Sequence, residues 1–176
     1  MKISLSWIKE LVDLKDISTD EIVSKLTMSG LEVEDVVDQT NLYKNFIVGF
    51  VKETEKHPNA DKLTICKVFD GKDDLQVICG ASNVKAGQKI VFASIGTEIP
   101  NGNIIIKKAK IRGVESHGMI CAEDELLLSN DHSGIMVLDE KLETGKSITE
   151  ALNLNDVILE IAITPNRPDA LSHIGV

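Results

Sequence analysis

Apolar and polar positions follow a helical period over the first forty residues and a strand period over most of the remainder. In "WIKELV", Trp7, Ile8, Leu11 and Val12 recur at i, i+1, i+4 and i+5, which predicts a short helix with one apolar stripe, capped by Ser6. Ser18 and Glu21 in "STDE" have the spacing of a capping box. Ile22, Val23 and Leu26 then give a second helix its inward face, and Gly30 after "LTMS" is a C-terminal stop. "LEVEDVV" alternates, with Leu31, Val33 and Asp35 opposite Glu32 and Glu34, and predicts a strand.

From about residue 41 the pattern turns to short strands and tight turns. "FIVGFVKETE" reads as a strand ended by "HPNAD". "KLTICKVFDG" and "DLQVICG" read as a hairpin around Asp70-Gly71. After a turn at "NVKAGQ", "KIVFASIGTEI" and "IIIKKAKIRG" are predicted to pair across Pro100-Asn101-Gly102-Asn103. Five strands with glycines at their corners predict a small barrel of the OB type. "VILEIAI" is a further strand, "TPNRP" a stiff turn, and "DALSHIG" the start of a helix capped by Asp169. That helix has no stop signal before Val176, as expected of a fragment of a longer protein. The expected fold is mainly β with an α+β part. A five-stranded OB-type barrel at residues 41–150 is inserted into a small α/β domain built from residues 1–40 and 151–176.

A hydrophobic content of 43% and a mean hydropathy of +0.02 suit a soluble globular chain, and no apolar run approaches the roughly 18 residues of a membrane span. Glu10 and Asp13 interrupt any secretory pattern in the first 16 residues, so the expected location is cytoplasmic, with no membrane partner. Cys66, Cys79 and Cys121 form no CxxC pair and lie in or beside apolar runs, which predicts buried reduced thiols and no metal site.

The net charge of -9 is unevenly spread. Residues 1–40 carry 4 basic and 9 acidic side chains, residues 41–150 carry 14 and 16, and residues 151–176 carry 1 and 3. The middle segment is nearly neutral and its positive charge is clustered, so its local field can oppose the total. Tight non-specific binding to long nucleic acid, which needs many phosphate contacts, is disfavoured, and DNA is not an expected partner.

The cluster is "KKAKIRG". On a period of two, Lys108, Lys110 and Arg112 share one strand face while Ala109 and Ile111 share the other. A solvated strand and a phosphate-binding face both fit. In "HPNADKL", His57 or Asn59 is placed to touch a base and Lys62 a phosphate, although the stretch also suits an ordinary connection. "CGASNV" offers Ser82 and Asn83 as neutral donors and acceptors. "RGVESHGMICAEDEL" has Gly113 and Gly118 flanking Glu115, Ser116 and His117, a polar turn expected to place Ser116 and Met119 at a surface. Glu123, Asp124 and Glu125 suit a metal or acid–base cluster, or more commonly a charged first helical turn. No P-loop, GxGxxG, HExxH or nucleophile elbow is present, and no catalytic residue is expected. Six aromatic residues in all give little base stacking, which favours recognition of RNA backbone and shape.

Three groups of residues carry a family resemblance. "MKISLSWIKELVDLK", with "LTMSGLEVE", resembles the opening of the beta subunit of bacterial phenylalanyl-tRNA synthetase, and "ITPNRPDALSHIGV" resembles the same subunit beyond its barrel. "HPNADKLTICKV", "VICGASNV" and "KAKIRGVESHGMICAEDEL" resemble the tRNA-binding barrel shared by several synthetase-associated proteins. The resemblance implies an accessory tRNA-binding region of an (αβ)2 enzyme that attaches phenylalanine to tRNA(Phe). ATP and Mg2+ would serve the full enzyme, and this region would hold no cofactor. The alpha subunit would be a partner and would carry the synthetic chemistry. Carried over position by position, the barrel's tRNA surface falls on Lys62, Ser82, Asn83, Lys110, Arg112, Ser116 and Met119, beside Lys108. His117 stands at a variable position and Ala122 where serine is common, which removes one hydroxyl contact. A free-standing tRNA-binding protein would share the barrel but not the "PNRPDALS" tail. A subunit-docking module without RNA contact would suit the acidic surface.

Overall fold

Strand propensity dominates because the β-branched residues are grouped in alternating runs whose polar members face water. The computed structural model describes residues 1–176. Along the chain run β1 (Lys2–Ser4), α1 (Leu5–Leu11), α2 (Thr19–Met28), β2 (Glu32–Asp38) and α3 (Gln39–Leu42). Four longer strands come next: β3 (Phe46–Lys56), β4 (Thr64–Phe69), β5 (Asp74–Cys79) and β6 (Lys89–Ala93). Six short ones succeed them: β7 (Glu98–Ile99), β8 (Ile104–Ile105), β9 (Ala109–Ile111), β10 (Val114–Ser116), β11 (Met119–Ile120) and β12 (Val137–Leu138). The chain then forms α4 (Ile148–Ala151), β13 (Val157–Ala162) and a 3-10 turn at Pro168–Ala170. It divides into two compact units, residues 1–42 with 154–176, and residues 43–153.

In the first unit β13 lies between β1 and β2 in an antiparallel sheet. Ile3, Leu5, Leu31, Leu159 and Ile161 form its core, with Ile22, Val23 and Leu26 of α2 packed against them. The Ser18 hydroxyl accepts from the Glu21 amide at 3.2 Å, as the capping spacing predicts. At the other end Leu31 N–H donates to Leu26 at 2.9 Å and Gly30 takes a positive φ, closing a Schellman stop.

The first helix departs from expectation. Ser4, not Ser6, is its cap, because Asp156 takes the backbone amide and the hydroxyl of Ser6, each at 2.9 Å. The expected apolar stripe is largely exposed: Trp7 is 62% accessible and only Leu5 is buried. A bulge opposite Glu160/Ile161 breaks the alternation of β2 and leaves Asp35 exposed. "DALSHIG" forms no α-helix, and Asp169 bonds Arg167 instead of capping.

Asp156 ties the ends of this unit together, accepting from Ser4, Ser6 and Val157. Burial alone would raise its carboxyl, but these donors outweigh that and hold it below the ordinary aspartate range. Ionised Asp156 therefore favours the folded state. Its contribution is complete above the unfolded carboxyl value near ~4 and is lost as pH falls from there towards the lower folded value. Asp156→Ala is expected to destabilise this unit by about 1–3 kcal/mol at neutral pH and to flatten the acid limb of its stability curve. Trp7 is the chain's one tryptophan and lies in this unit, so denaturation monitored by its fluorescence reads the effect. An unchanged acid limb would show that other carboxyls set it.

The second unit is an OB-type barrel. Its strands take the path β11-β6-β3-β4-β5, with β12 also on β6. The long β3 serves two partners: residues 46–50 pair with β6 and residues 50–56 with β4, and a bulge at Lys52 lets the strand bend between them. Closure is made where β5 meets the β10–β11 link, with His117 N–H donating to Gln76 at 2.9 Å. Val51, Cys66, Val68, Val77, Ile90 and Phe92 fill the interior. Burial pushes the Cys66 thiol up to about 12, with Cys79 adding to the shift, and it also raises Cys79 and Cys121. All three are inert core residues.

The fifth barrel strand is not the one the alternation predicts. "IIIKKAKIRG" breaks into β8, which pairs only with β7, and β9, which pairs only with β10. β11 supplies the closing strand. No helix is long and apolar enough to cross a membrane.

Candidate nucleic-acid interface

The basic stretch is a hairpin arm and not a strand face. β9 and β10 pair Ile111 with Val114, leaving a two-residue turn at Arg112-Gly113. Both residues have positive φ, 50° and 96°, which is the type I′ turn whose twist suits a hairpin. Arg112 therefore leaves the face assigned to it and stands at the tip, exposed. Lys108 and Lys110 keep their shared side, facing Glu115. Lys110 is in register with Glu115, and Lys108 Nζ lies 2.9 Å from its carboxylate. The hydrogen-bonded Lys108 ammonium holds the Glu115 carboxyl below its usual range, with His117 and Lys110 adding to the effect. One of the three expected cations is thus paired within the protein, in a half-exposed contact that solvent screens. Ala109, assigned to the core side, is exposed.

The loop "HPNADKL" is built against this hairpin. His57 is buried. Its Nδ1 accepts from the Asn59 amide at 3.1 Å, so its Nε2 carries the proton that bonds the Ile111 carbonyl at 3.1 Å. Asn59 Nδ2 donates to the Arg112 carbonyl at 3.2 Å. The two residues expected to touch a base are therefore the ties that hold the hairpin in place. They tie the loop that bears the exposed Lys62 to the hairpin that bears Arg112.

Ser116 and Asn83 are scaffold as well. Ser116 is 3% accessible, not at a surface as expected. Its hydroxyl accepts from the Ile78 amide and donates to the Gly118 carbonyl, both at 3.1 Å. Asn83 clasps one residue twice: Nδ2 donates to the Ile135 carbonyl and Oδ1 accepts from the Ile135 amide, each at 2.9 Å. Ser82 is exposed and Met119 half-buried, and both remain available.

These elements enclose a groove of about 730 Å3. Gly80, Ala81 and Ser82 form one side, the Ile104–Lys107 segment with Ala109 and Ile111 another, and Met119 and Ile120 a third. Sequence reasoning missed the isoleucines because it placed them in a strand of the barrel, whereas they form a separate arm with β7. Ile104 is 61% and Ile105 52% accessible. Glu125 also lines the groove. Burial raises its carboxyl against the lowering effect of the Ala122 amide, which donates to it at 2.7 Å. The "AEDELL" stretch is not a helix but one closed turn, ended by a left-handed Leu127, with Leu128 N–H bonded to Glu123. Asp124 is 2.7 Å from His132, and no three metal-ligating side chains converge.

Relatives match the chain from end to end. Phenylalanine–tRNA ligase beta subunits of Fusobacterium nucleatum and of Chlorobaculum tepidum are each 51% identical, over 177 and 180 residues. In both cases the match covers 100% of this chain, which spans 22% of the relative's length. A solved structure of a MetRS-related protein from Pyrococcus horikoshii is 23% identical over 65% of this chain and 98% of its own, with a TM-score of 0.47. The family described as a putative tRNA binding domain matches residues 46–147, nearly all of the barrel and more than half of the chain. By that match the chain belongs to the tRNA-binding domain family.

Proposed function

We propose that the barrel is an accessory tRNA-binding module of a phenylalanine–tRNA ligase beta subunit, helping an (αβ)2 enzyme in the cytoplasm hold tRNA(Phe) during aminoacylation. On this reading residues 43–153 form the binding domain and the two chain ends form the domain that carries it. ATP, Mg2+ and the synthetic chemistry belong to the whole enzyme with its alpha subunit. The observation that carries the reading is the hairpin tip. His57 and Asn59 bond the backbone at Ile111 and Arg112, tying the loop that bears Lys62 to the hairpin that bears Lys110 and Arg112. Lys62, Lys110 and Arg112 contact phosphate, Lys108 contributes in part through its shared Glu115, and Ser82 and Met119 face the RNA. Asn83 and Ser116 support them from behind.

A module with so few phosphate contacts binds weakly alone and gains when tethered to other tRNA-binding parts. Titration of tRNA(Phe) at two salt concentrations tests the reading. Lys110→Ala with Arg112→Ala is expected to weaken binding by roughly tenfold at low salt and to reduce the salt slope by about two. Binding that ignores both salt and the double substitution would exclude tRNA contact at this edge.

A further inference from the structure

The groove has a composition that phosphate contact does not explain. Two isoleucines on the β7–β8 arm are more than half exposed, facing a concave surface that includes Ala81, Ile111 and Met119. Single exposed apolar side chains are ordinary, but a concave apolar surface with a few polar groups at its margin is what a bound organic group requires. Its volume of about 730 Å3 falls within the roughly 300–1,000 Å3 of small-ligand pockets. The polar groups are of two signs. Lys107 lies two positions beyond Ile105, and Glu125 lines the same groove.

We propose that this groove takes one unstacked nucleobase of the bound RNA, a base that presents an exocyclic amino group. This rests on the tRNA-binding reading and adds a base contact to it. Ile104, Ile105 and Met119 cover the faces of the base, as apolar side chains do for bases drawn out of a stack. Lys107 neutralises the adjoining phosphate. Glu125 accepts from the amino group. One of its oxygens already bonds the Ala122 amide, which fixes the carboxylate's direction and leaves acceptor capacity for the ligand. Uracil would set carbonyl oxygens against the same carboxylate and is disfavoured. The charge pairing favours a nucleotide over an apolar peptide, which would offer nothing to Lys107 or to the remaining acceptor capacity of Glu125.

The test separates base from backbone. Binding of an octamer of cytidylate, an octamer of uridylate and an abasic ribose-phosphate octamer is measured by fluorescence anisotropy, alongside tRNA(Phe). The parent chain is expected to bind the cytidylate octamer roughly tenfold more tightly than the abasic one, and several-fold more tightly than the uridylate one. Ile104→Ser with Ile105→Ser, both at exposed positions, is expected to abolish the advantage over the abasic octamer while leaving the salt slope unchanged. Glu125→Gln is expected to remove only the preference for cytosine. Equal binding of all three octamers by the parent overturns the proposal. So does a serine double variant that retains the base-dependent gain. If tRNA binding remains salt-dependent and sensitive to Lys110 and Arg112 in either case, the tRNA reading stands without the groove. Loss of salt-dependent tRNA binding in the parent would remove both.

Discussion

Gly118→Ala is expected to destabilise the barrel by about 2–6 kcal/mol, the sum of an overpacking cost and a backbone cost. A Cβ at this position would overlap two ring carbons of Phe92 and lie 2.8 Å from the Ala93 carbonyl oxygen. Phe92 is fully buried among Val51, Val68 and Ile90, so its ring has no room to swing aside. Overpacking of this kind costs about 1–3 kcal/mol. The φ of 154° belongs to a region used almost only by glycine, and an alanine forced to keep it adds about 1–3 kcal/mol. The consequence reaches the groove, because Gly118 joins the buried Ser116 to Met119 and Met119 pairs with Ala93. Hydrogen exchange of the β6 amides measures the loss within the barrel, where Trp7 fluorescence does not report. Phe92→Leu in the same chain should recover part of the loss in a double-mutant cycle, since it relieves the ring contact but not the carbonyl contact or the backbone. A loss below about 1 kcal/mol would mean that the link shifts without resistance.

Asn83→Ala is expected to cost about 2–4 kcal/mol, because it strips both hydrogen bonds from the Ile135 backbone at once. Ile135 is 7% accessible, so solvent replaces those bonds poorly. The neighbouring Gly134 packs so tightly that a Cβ there would overlap the Asn83 carboxamide oxygen and stand 2.7 Å from Nδ2. Asn83→Asp keeps the acceptor but turns the donor into a second oxygen against the Ile135 carbonyl, so it should also destabilise. Protonation in mild acid should then restore part of the loss, since a neutral carboxyl can donate. Urea denaturation at two pH values reads both changes. A variant that keeps full stability yet loses tRNA affinity would show that Asn83 contacts the RNA directly and is not scaffold.

Features that depend on neighbours a few positions apart were legible in the chain alone. The Ser18 cap and Gly30 stop of α2, the β4–β5 hairpin and the succession β3 to β6 each rest on i, i+2 or i, i+3 relations. The pairing of charge with a barrel was legible for the same reason, as a cluster in the least acidic segment. The site itself was not. Alternation in "IIIKKAKIRG" holds only from Lys108 to Arg112, and it does not mark that Arg112 adopts a left-handed backbone conformation. The hairpin turn at Arg112 is held by bonds across 54 residues to His57 and 53 to Asn59. The same holds for Ser6, taken from its capping role by Asp156 150 residues away, and for Ser116, buried by the closure of β5 against β10. Folding in three dimensions selected which polar side chains were consumed holding backbone in place and which remained for a ligand. A buried backbone group must find a partner wherever the fold supplies one, and that demand is met by contacts that carry no signature in the local pattern.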